Sequence, residues 1–328
     1  MKTISILIPE TAVLGSIVDP RYAFTAANQF LQTSGKPALF QVRLVGLTSE
    51  VRLNDGLFSV HTDALTSEVK KTDLVLIPAL SGDLNTALEL NQGLLPWIRE
   101  QHRKGAEVAS LCLGAFLLAE TGLLAGKQCS THWLFASEFR ERFPNVELVD
   151  GSIITEEERL YSSGGAHSYW NLLLYLLEKY TDRATAILAS KYFAVDINRD
   201  SQSAFMMFQG QKGHGDEEIR RAQEFIEENV QEKITIDELA DLVAIGRRNF
   251  ERRFKKATNN SVIEYIQRVR IEAAKRSFES SRKNITEVMF DVGYTDTKAF
   301  RDVFKKITGL TPIEYRNKYN KQAAQALA

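Results

Sequence analysis

Over the last third of the chain, apolar and polar positions follow a helical pattern that is written twice. Ile236, Leu239, Ala240 and Val243 keep an apolar face at helical spacing behind Thr235, which forms a capping box with Glu238 three residues on. The short turn Ala244-Ile245-Gly246 comes next, and Gly246 is expected to take the positive φ that a tight inter-helix turn requires. In the helix that follows, Phe250, Phe254 and Ala257 share one face and leave Arg247, Arg248, Glu251, Arg252 and Lys255 on the other.

About 50 residues later the pattern returns. Phe250-Glu251-Arg252-Arg253-Phe254-Lys255-Lys256-Ala257-Thr258 recurs as Phe300-Arg301-Asp302-Val303-Phe304-Lys305-Lys306-Ile307-Thr308, and Ile263-Glu264-Tyr265 recurs as Ile313-Glu314-Tyr315. In this second copy Thr286 or Asn284 starts the first helix and Gly293-Tyr294-Thr295-Asp296 makes the turn. Phe300, Val303 and Phe304 face the core, while Thr297, Lys298, Arg301 and Asp302 face out. A long helical run from Val262 to about Phe278 joins the copies. One amphipathic helix with a charged face is as readily a solvated surface as a binding one. Two copies with matched aromatics favour a duplicated helix-turn-helix.

Charge distribution sharpens that reading. The 328-residue chain is near neutral at −1, yet Lys233 to Lys321 carries 20 Lys and Arg against 12 Asp and Glu, a local excess of +8. Double-stranded DNA is the implied partner. Arginines on an exposed recognition helix suit bidentate bonds to guanine edges, and Lys256 and Lys306 suit phosphate.

Upstream, short apolar runs alternate with helical segments: Ile4 to Pro9, Tyr22 to Thr33, Phe40 to Leu47 and Leu74 to Pro78. Leu94 to Lys104 then reads as helix, Glu107 to Leu111 as strand and Ala115 to Thr121 as helix. This is the rhythm of an α/β fold with a mostly parallel sheet and flanking helices. The expected organisation is an α/β domain over 1–208, a glycine-rich polar linker over 209–216, and an all-α domain of two helix-turn-helix units over 217–328. The length and the 44% hydrophobic content suffice for two cores. Cys112 and Cys129 make no disulfide framework and no apolar run reaches membrane length, so no cleavable leader is expected and a reducing cytoplasm is the expected compartment. His61, His102 and His214 lack partners at metal-ligand spacing, so neither metal nor cofactor is expected. Glu156-Glu157-Glu158-Arg159 reads as a solvated hairpin turn.

One α/β turn carries candidate chemistry. Ser110 and Gly114 place small residues two positions either side of Cys112, as a strained strand-to-helix elbow requires. Its position near a helix N-terminus, whose dipole favours thiolate, faces a cleft at the carboxyl ends of the strands.

The C-terminal segment, Glu217 to about Tyr319, resembles the AraC/XylS family of bacterial transcription regulators. The most specific part is Gly293-Tyr294 through Phe300, Phe304-Lys305-Lys306, Thr308-Gly309, Thr311-Pro312 and Tyr315-Arg316. Gly246 stands where a Ser is usual, and Met289 where a small Ala is common. The resemblance implies two recognition helices about one DNA turn apart in successive major grooves. Lys2 to Gln209 resembles the PfpI-like branch of the class I glutamine amidotransferase superfamily. That likeness rests on the Cys112 elbow, the run Leu117 to Gly126, Thr131-His132-Trp133, Phe143-Pro144 and Ser163-Gly164-Gly165. Fused together, the two are the architecture of GlxA-type regulators, in which such domains are thought to sense small, often nitrogen-containing metabolites.

The resemblance makes His132 the candidate base for Cys112. Relatives that are enzymes carry His or Thr where Leu113 stands here, and an acidic residue where Ser16 appears between Glu10 and Asp19. Catalysis is therefore not expected, and Cys112 and His132 are vestigial candidates. Ligand binding is assigned to Cys112, Leu113, Gly114, His132, Ser16 and His167, with His167 either a pocket residue or a helix cap, and Cys129 a core or dimer contact. DNA binding is assigned to Arg247, Arg248, Glu251, Arg252, Lys256, Thr297, Lys298, Arg301 and Lys306. The sequence thus describes a transcription regulator answering to an unidentified small-molecule effector, expected to form a homodimer, with RNA polymerase as a further partner and no membrane. The alternatives are a cysteine hydrolase or isonitrile-hydratase-like enzyme with an appended DNA-binding domain, and an architectural DNA protein whose first domain only dimerises.

Overall fold

The computed structural model describes residues 1–197 and 201–320. They divide into two compact units, Met1–Gln202 and Ser203–Ala328. The end of the expected DNA-binding domain, 321–328, lies outside the described residues.

The first unit opens with β1 (Lys2–Leu7) and α1 (Gly15–Thr33). After β2 (Phe40–Gly46) come a hairpin of β3 (Glu50–Leu53) and β4 (Phe58–His61), the short β5 (Ala64–Leu65), and β6 (Leu74–Ile77). Helices α2 (Leu84–Leu90) and α3 (Leu95–Arg103) lead to β7 (Glu107–Leu111) and α4 (Gly114–Glu120). Next are β8 (Gln128–Cys129), α5 (Ala136–Arg142), β9 (Glu147–Leu148), β10 (Ile154–Glu157) and β11 (Leu160–Ser163). Helices α6 (Tyr169–Tyr180) and α7 (Arg183–Phe193) follow.

The main sheet has the order β10-β11-β7-β6-β1-β2-β5, and every pairing in it is parallel except β10 with β11. A parallel sheet needs cover on both faces. Strand β6 shows how the sequence meets that need: Val75 and Ile77 join one core with residues of α2, α3, α4 and α5, while Leu74 and Leu76 join the other with residues of α1, α6 and α7. Every position of β6 is buried, so it reads as a continuous apolar run.

Helix α1 begins well before the expected Tyr22 and runs through Pro20. Burial of Ser16, Ile17 and Pro20 keeps that stretch helical although proline supplies no N–H. The β3–β4 hairpin was not apparent in the alternation. Glu158 and Arg159, both at positive φ, are the two turn residues between β10 and β11, whereas Glu156 and Glu157 belong to the strand.

The second unit is helical: α8 (Glu217–Glu228), α9 (Ile236–Leu242), α10 (Arg247–Thr258), α11 (Val262–Ser280), α12 (Ile285–Asp291), α13 (Thr297–Thr308) and α14 (Pro312–Tyr319). Capping boxes start four of these helices, at Thr235/Glu238, Ser261/Glu264, Asn284/Glu287 and Thr311/Glu314. Asn284 rather than Thr286 is the cap of α12. Helix α11 is shared, with Val262, Tyr265, Ile266 and Val269 in one core and Ile271, Ala274 and Phe278 in the other. The glycine-rich stretch 209–216 lies with this unit: Gln223 donates to the carbonyl of Gln211, and His214 bonds Gln223.

The inter-helix turn of the first copy differs from expectation. Gly246 sits at φ −60 as the N-cap of α10, and Ala244 takes the left-handed conformation at φ 53. The reason is positional: Ala244 directly follows Val243, the C-cap of α9, just as Gly293 at φ 77 follows Val292, the C-cap of α12. The residue after a helix C-cap is where left-handed geometry recurs, and a Cβ there costs about 1–2 kcal/mol.

Urea unfolding of the helical unit should therefore separate its glycines. Gly246→Ser supplies a missing cap in open space and should stabilise by about 0.3 kcal/mol. Gly293→Ala would place a Cβ 2.8 Å from the Val230 carbonyl and 2.9 Å from that of Gln231, at a left-handed φ, and should cost more than about 2 kcal/mol.

Candidate functional site

The two helix-turn-helix copies match in three dimensions. The Phe250 and Phe254 rings lie 5.6 Å apart at 57°, and Phe300 and Phe304 lie 5.7 Å apart at 57°. Tyr265 then packs edge-on to Phe254 at 5.3 Å, and Tyr315 to Phe304 at 5.5 Å. These buried aromatics fix the roll of α10 and α13 and so determine which side chains point outward. Arg248, Arg252, Lys256, Thr297, Lys298, Arg301 and Lys306 are all exposed.

Their local engagement differs. Arg247 pairs with Asp237 at 3.0 Å and lies 3.9 Å from Glu251, and Arg252 donates to Asn249 at 2.9 Å. Among the described residues no hydrogen bond or ion pair engages the side chains of Arg248, Lys256, Lys298, Arg301 or Lys306. A cation without an internal carboxylate is available to phosphate or a base edge. The copies also differ at their helix starts. Asp296 caps α13 by accepting the Ala299 N–H at 2.6 Å, whereas Gly246 gives α10 no side-chain cap.

Two arginines missed in the sequence organise this face. Arg253, grouped by sequence with the basic run, grips Asp216 through two bonds of 2.9 and 2.6 Å and Glu218 at 2.8 Å, fastening α10 to the start of α8. Arg270 donates to the carbonyls of Val230, Gly293 and Glu232, tying the loop after α8 to the turn before α13. Both contacts span dozens of residues, and local spacing carries no signal for them.

In the first unit the elbow forms where expected. Cys112 has φ 53, its N–H donates to the Ser163 carbonyl at 3.0 Å, and its carbonyl accepts the Thr131 hydroxyl at 3.3 Å. Gly114 is required by contact. A Cβ there would stand 2.5 Å from the Pro78 carbonyl oxygen and 2.6 Å from that of Ile77. The elbow helix thus rests against the end of β6 with no room for a side chain.

Burial works against the thiolate that the helix dipole favours. Cys112 is 5% exposed, and burial pushes the thiol up to about 12, although the Leu113 N–H pulls the other way. Desolvation outweighs the seven-residue α4. Ser16 is buried and saturated, donating to the Val13 carbonyl at 2.7 Å and accepting the Ala79 N–H at 2.9 Å. The half-buried His132 caps a short turn, its Nδ1 accepting the Leu134 N–H at 3.2 Å, and burial lowers its pKa. No hydrogen bond joins His132 to Cys112 among the described residues. His167 is exposed beside Tyr169, while Ser168 occupies the N-cap position of α6. Asp19 accepts bonds from Tyr169 at 2.7 Å and Trp170 at 3.0 Å. Cys129 is buried, its thiol on the Ser130 carbonyl. No group of three potential metal ligands occurs among the described residues.

A paired DNA-reading unit joined to an α/β unit with a cysteine elbow is the make-up of a transcription regulator. Residues 3–179 match the DJ-1/PfpI family and residues 239–318 match a helix-turn-helix domain. The chain belongs to the DJ-1/PfpI family and carries an AraC-type helix-turn-helix domain. It is similar to the HTH-type transcriptional regulator GbdR of Pseudomonas aeruginosa, 26% identical over 317 residues that cover 96% of this chain and 84% of that protein. It is also similar to the regulator GlxA of Rhizobium meliloti, 20% identical over 67% of this chain and 68% of that one. Among solved structures, a Vibrio parahaemolyticus protein described as a transcriptional regulator shares the fold over 58% of this chain and 98% of its own, with a TM-score of 0.52 and 24% identity.

Alkylation tests the state of the elbow. A thiol held at about 12 should react with iodoacetamide at pH 8 about a thousandfold more slowly than a free cysteine, speeding only as the pH climbs past about 10. Intact-mass kinetics on native and denatured protein would measure this, and rapid labelling of native Cys112 at pH 7 would contradict the burial account.

Proposed function

We propose that the DJ-1/PfpI-type unit is a non-catalytic sensor of a small, nitrogen-containing metabolite, and that its occupancy changes how the duplicated reader engages DNA. The carrying observation is the surroundings of Cys112: the thiol is buried, which pushes its pKa up to about 12, no hydrogen bond joins it to His132 among the described residues, His132 spends Nδ1 on a backbone cap, and Ser16 bonds Val13 and Ala79. Nucleophilic catalysis needs an activated sulfur with a base in reach. We infer that the ligand binds at this elbow, through Cys112, Leu113, Gly114, His132 and His167 with Ser16 bracing the end of the first strand's loop. A ligand with unequal affinity for two arrangements shifts their populations.

On the DNA side, Arg248 and Arg301 read base edges, Arg247, Glu251, Arg252, Thr297 and Lys298 shape the contacts, and Lys256 and Lys306 hold phosphate. The protein acts as a homodimer in the cytoplasm and works with RNA polymerase. Among the described residues no helix is long and apolar enough to cross a membrane.

Arg248→Ala or Arg301→Ala should cost roughly 1–3 kcal/mol on a duplex selected from a random pool and relax its base preference. Lys256→Ala or Lys306→Ala should weaken all sequences alike and flatten the salt dependence. Footprinting and titration at several salt concentrations distinguish these effects, and arginine variants with unchanged sequence preference would remove base reading from these helices.

Melting the purified protein against a metabolite panel should reveal a ligand that raises the melting temperature, since binding only the native state must stabilise it. Cys112→Ser should keep DNA affinity within about twofold and alter that ligand response. Multiple-turnover conversion of a small amide or isonitrile, abolished in Cys112→Ser, would replace the sensor with an enzyme.

A further inference from the structure

A glutamine outside the expected site set lies against the cysteine elbow. Gln202 belongs to the first unit, and so do all its bonded partners. It is 3% exposed, and its backbone N–H donates to the Gly151 carbonyl at 2.8 Å. The side-chain Nε2 donates to the carbonyls of Thr131 at 3.0 Å and Ser152 at 3.1 Å, and Oε1 is buried with no hydrogen-bond partner. The orientation of the carboxamide is fixed by those two bonds. A flipped amide would set Oε1 against two carbonyl oxygens, so the unpartnered group is an acceptor and not a donor.

The Ser163-Gly164-Gly165 run owes its composition to the same contact. A Cβ on Gly164 would overlap Nε2 of Gln202 and stand 2.8 Å from the Thr131 carbonyl oxygen. One on Gly165, at φ 73, would stand 2.6 Å from the Ser168 hydroxyl and 3.5 Å from Oε1. Gly165 therefore brings no side chain, and so no donor, to the unpartnered oxygen.

The place of this oxygen beside the elbow gives it a use. The backbone of Cys112 is held on two sides, its N–H by the Ser163 carbonyl at 3.0 Å and its carbonyl by the Thr131 hydroxyl at 3.3 Å. The Gln202 carboxamide adjoins both supports, since it bonds the Thr131 carbonyl and lies against Gly164, the residue after Ser163. A buried acceptor without a donor costs stability, and a ligand that supplies the donor removes that cost.

We propose that Gln202 reads the ligand's nitrogen: its Oε1 accepts an N–H from a small molecule seated at the Cys112 elbow, admitting amines, amides and guanidinium groups and discriminating against fully alkylated nitrogen. That role rests on the sensor reading above. The discrimination follows from burial, because an alkylated nitrogen leaves Oε1 unpaired and sets methyl groups against it where water cannot follow.

The test follows the side-chain amide signals of Gln202 by NMR in the full chain with labelled glutamine. Those of Gln223, bonded to the Gln211 carbonyl and the Tyr265 hydroxyl in the second unit, are the control. Methylammonium and acetamide are the N–H probes, and tetramethylammonium and N,N-dimethylacetamide their alkylated counterparts. The N–H probes should shift Gln202 in a saturable way and leave Gln223 still, and the alkylated ones should bind at least about tenfold more weakly. No saturable shift with either N–H probe, the result if an ordered water serves Oε1 permanently, would overturn the proposal. So would equal binding of the alkylated pair. Gln202→Met, with the melting temperature as its fold control, should weaken any effector found in the metabolite panel about tenfold or more. An effector bound equally well by this variant would sink the role of Gln202 and leave the sensor standing, whereas saturable probe binding without any stabilising metabolite would do the reverse.

Discussion

Two apolar cores draw on a single helix, α11, and the DNA-reading unit depends on that sharing. Tyr265 and Val269 belong to one core and Ile271 and Phe278 to the other, so the helix cannot roll without disturbing both. Packed interiors resist such motion because their side chains interdigitate at crystal-like density. Each recognition helix is seated by two phenylalanines against a tyrosine at the start of the next helix, and Arg270 closes the seam between repeats. The spacing of the exposed cations is thus inherited from buried contacts rather than from the cations themselves.

In the α/β unit the governing term is desolvation. A left-handed cysteine at the end of β7, with Gly114 pressed onto the carbonyls of Ile77 and Pro78, has the backbone of a nucleophile elbow. Burial opposes the thiolate that such a backbone would serve. Charge on sulfur would have to form in an apolar setting, and a helix of seven residues offers too little to offset that.

Capping boxes and aromatic spacing made the helical repeats legible in sequence, because both signals act within four residues. The parallel sheet was legible through β6, whose burial on both faces demands an unbroken apolar run. Gly246 misled because its φ is set by where α9 ends, and Ala244 reached that place first. Pro20 concealed the start of α1, since tertiary burial overrode its local preference. Arg253 and Arg270 were illegible as determinants, because their partners are backbone or carboxylate groups brought close only by the fold. The boundary between units was likewise obscured, for the polar stretch that looks like a linker is bonded along its length to helices.

The uncapped start of α10 and the aspartate-capped start of α13 differ in what they offer an anion. One recognition helix presents open backbone amides at its leading end and the other a carboxylate, so the poles that duplication made alike now carry opposite sign. What began as a repeat has become a polar pair: an anionic group would meet free N–H donors at the start of α10 and a carboxylate at the start of α13.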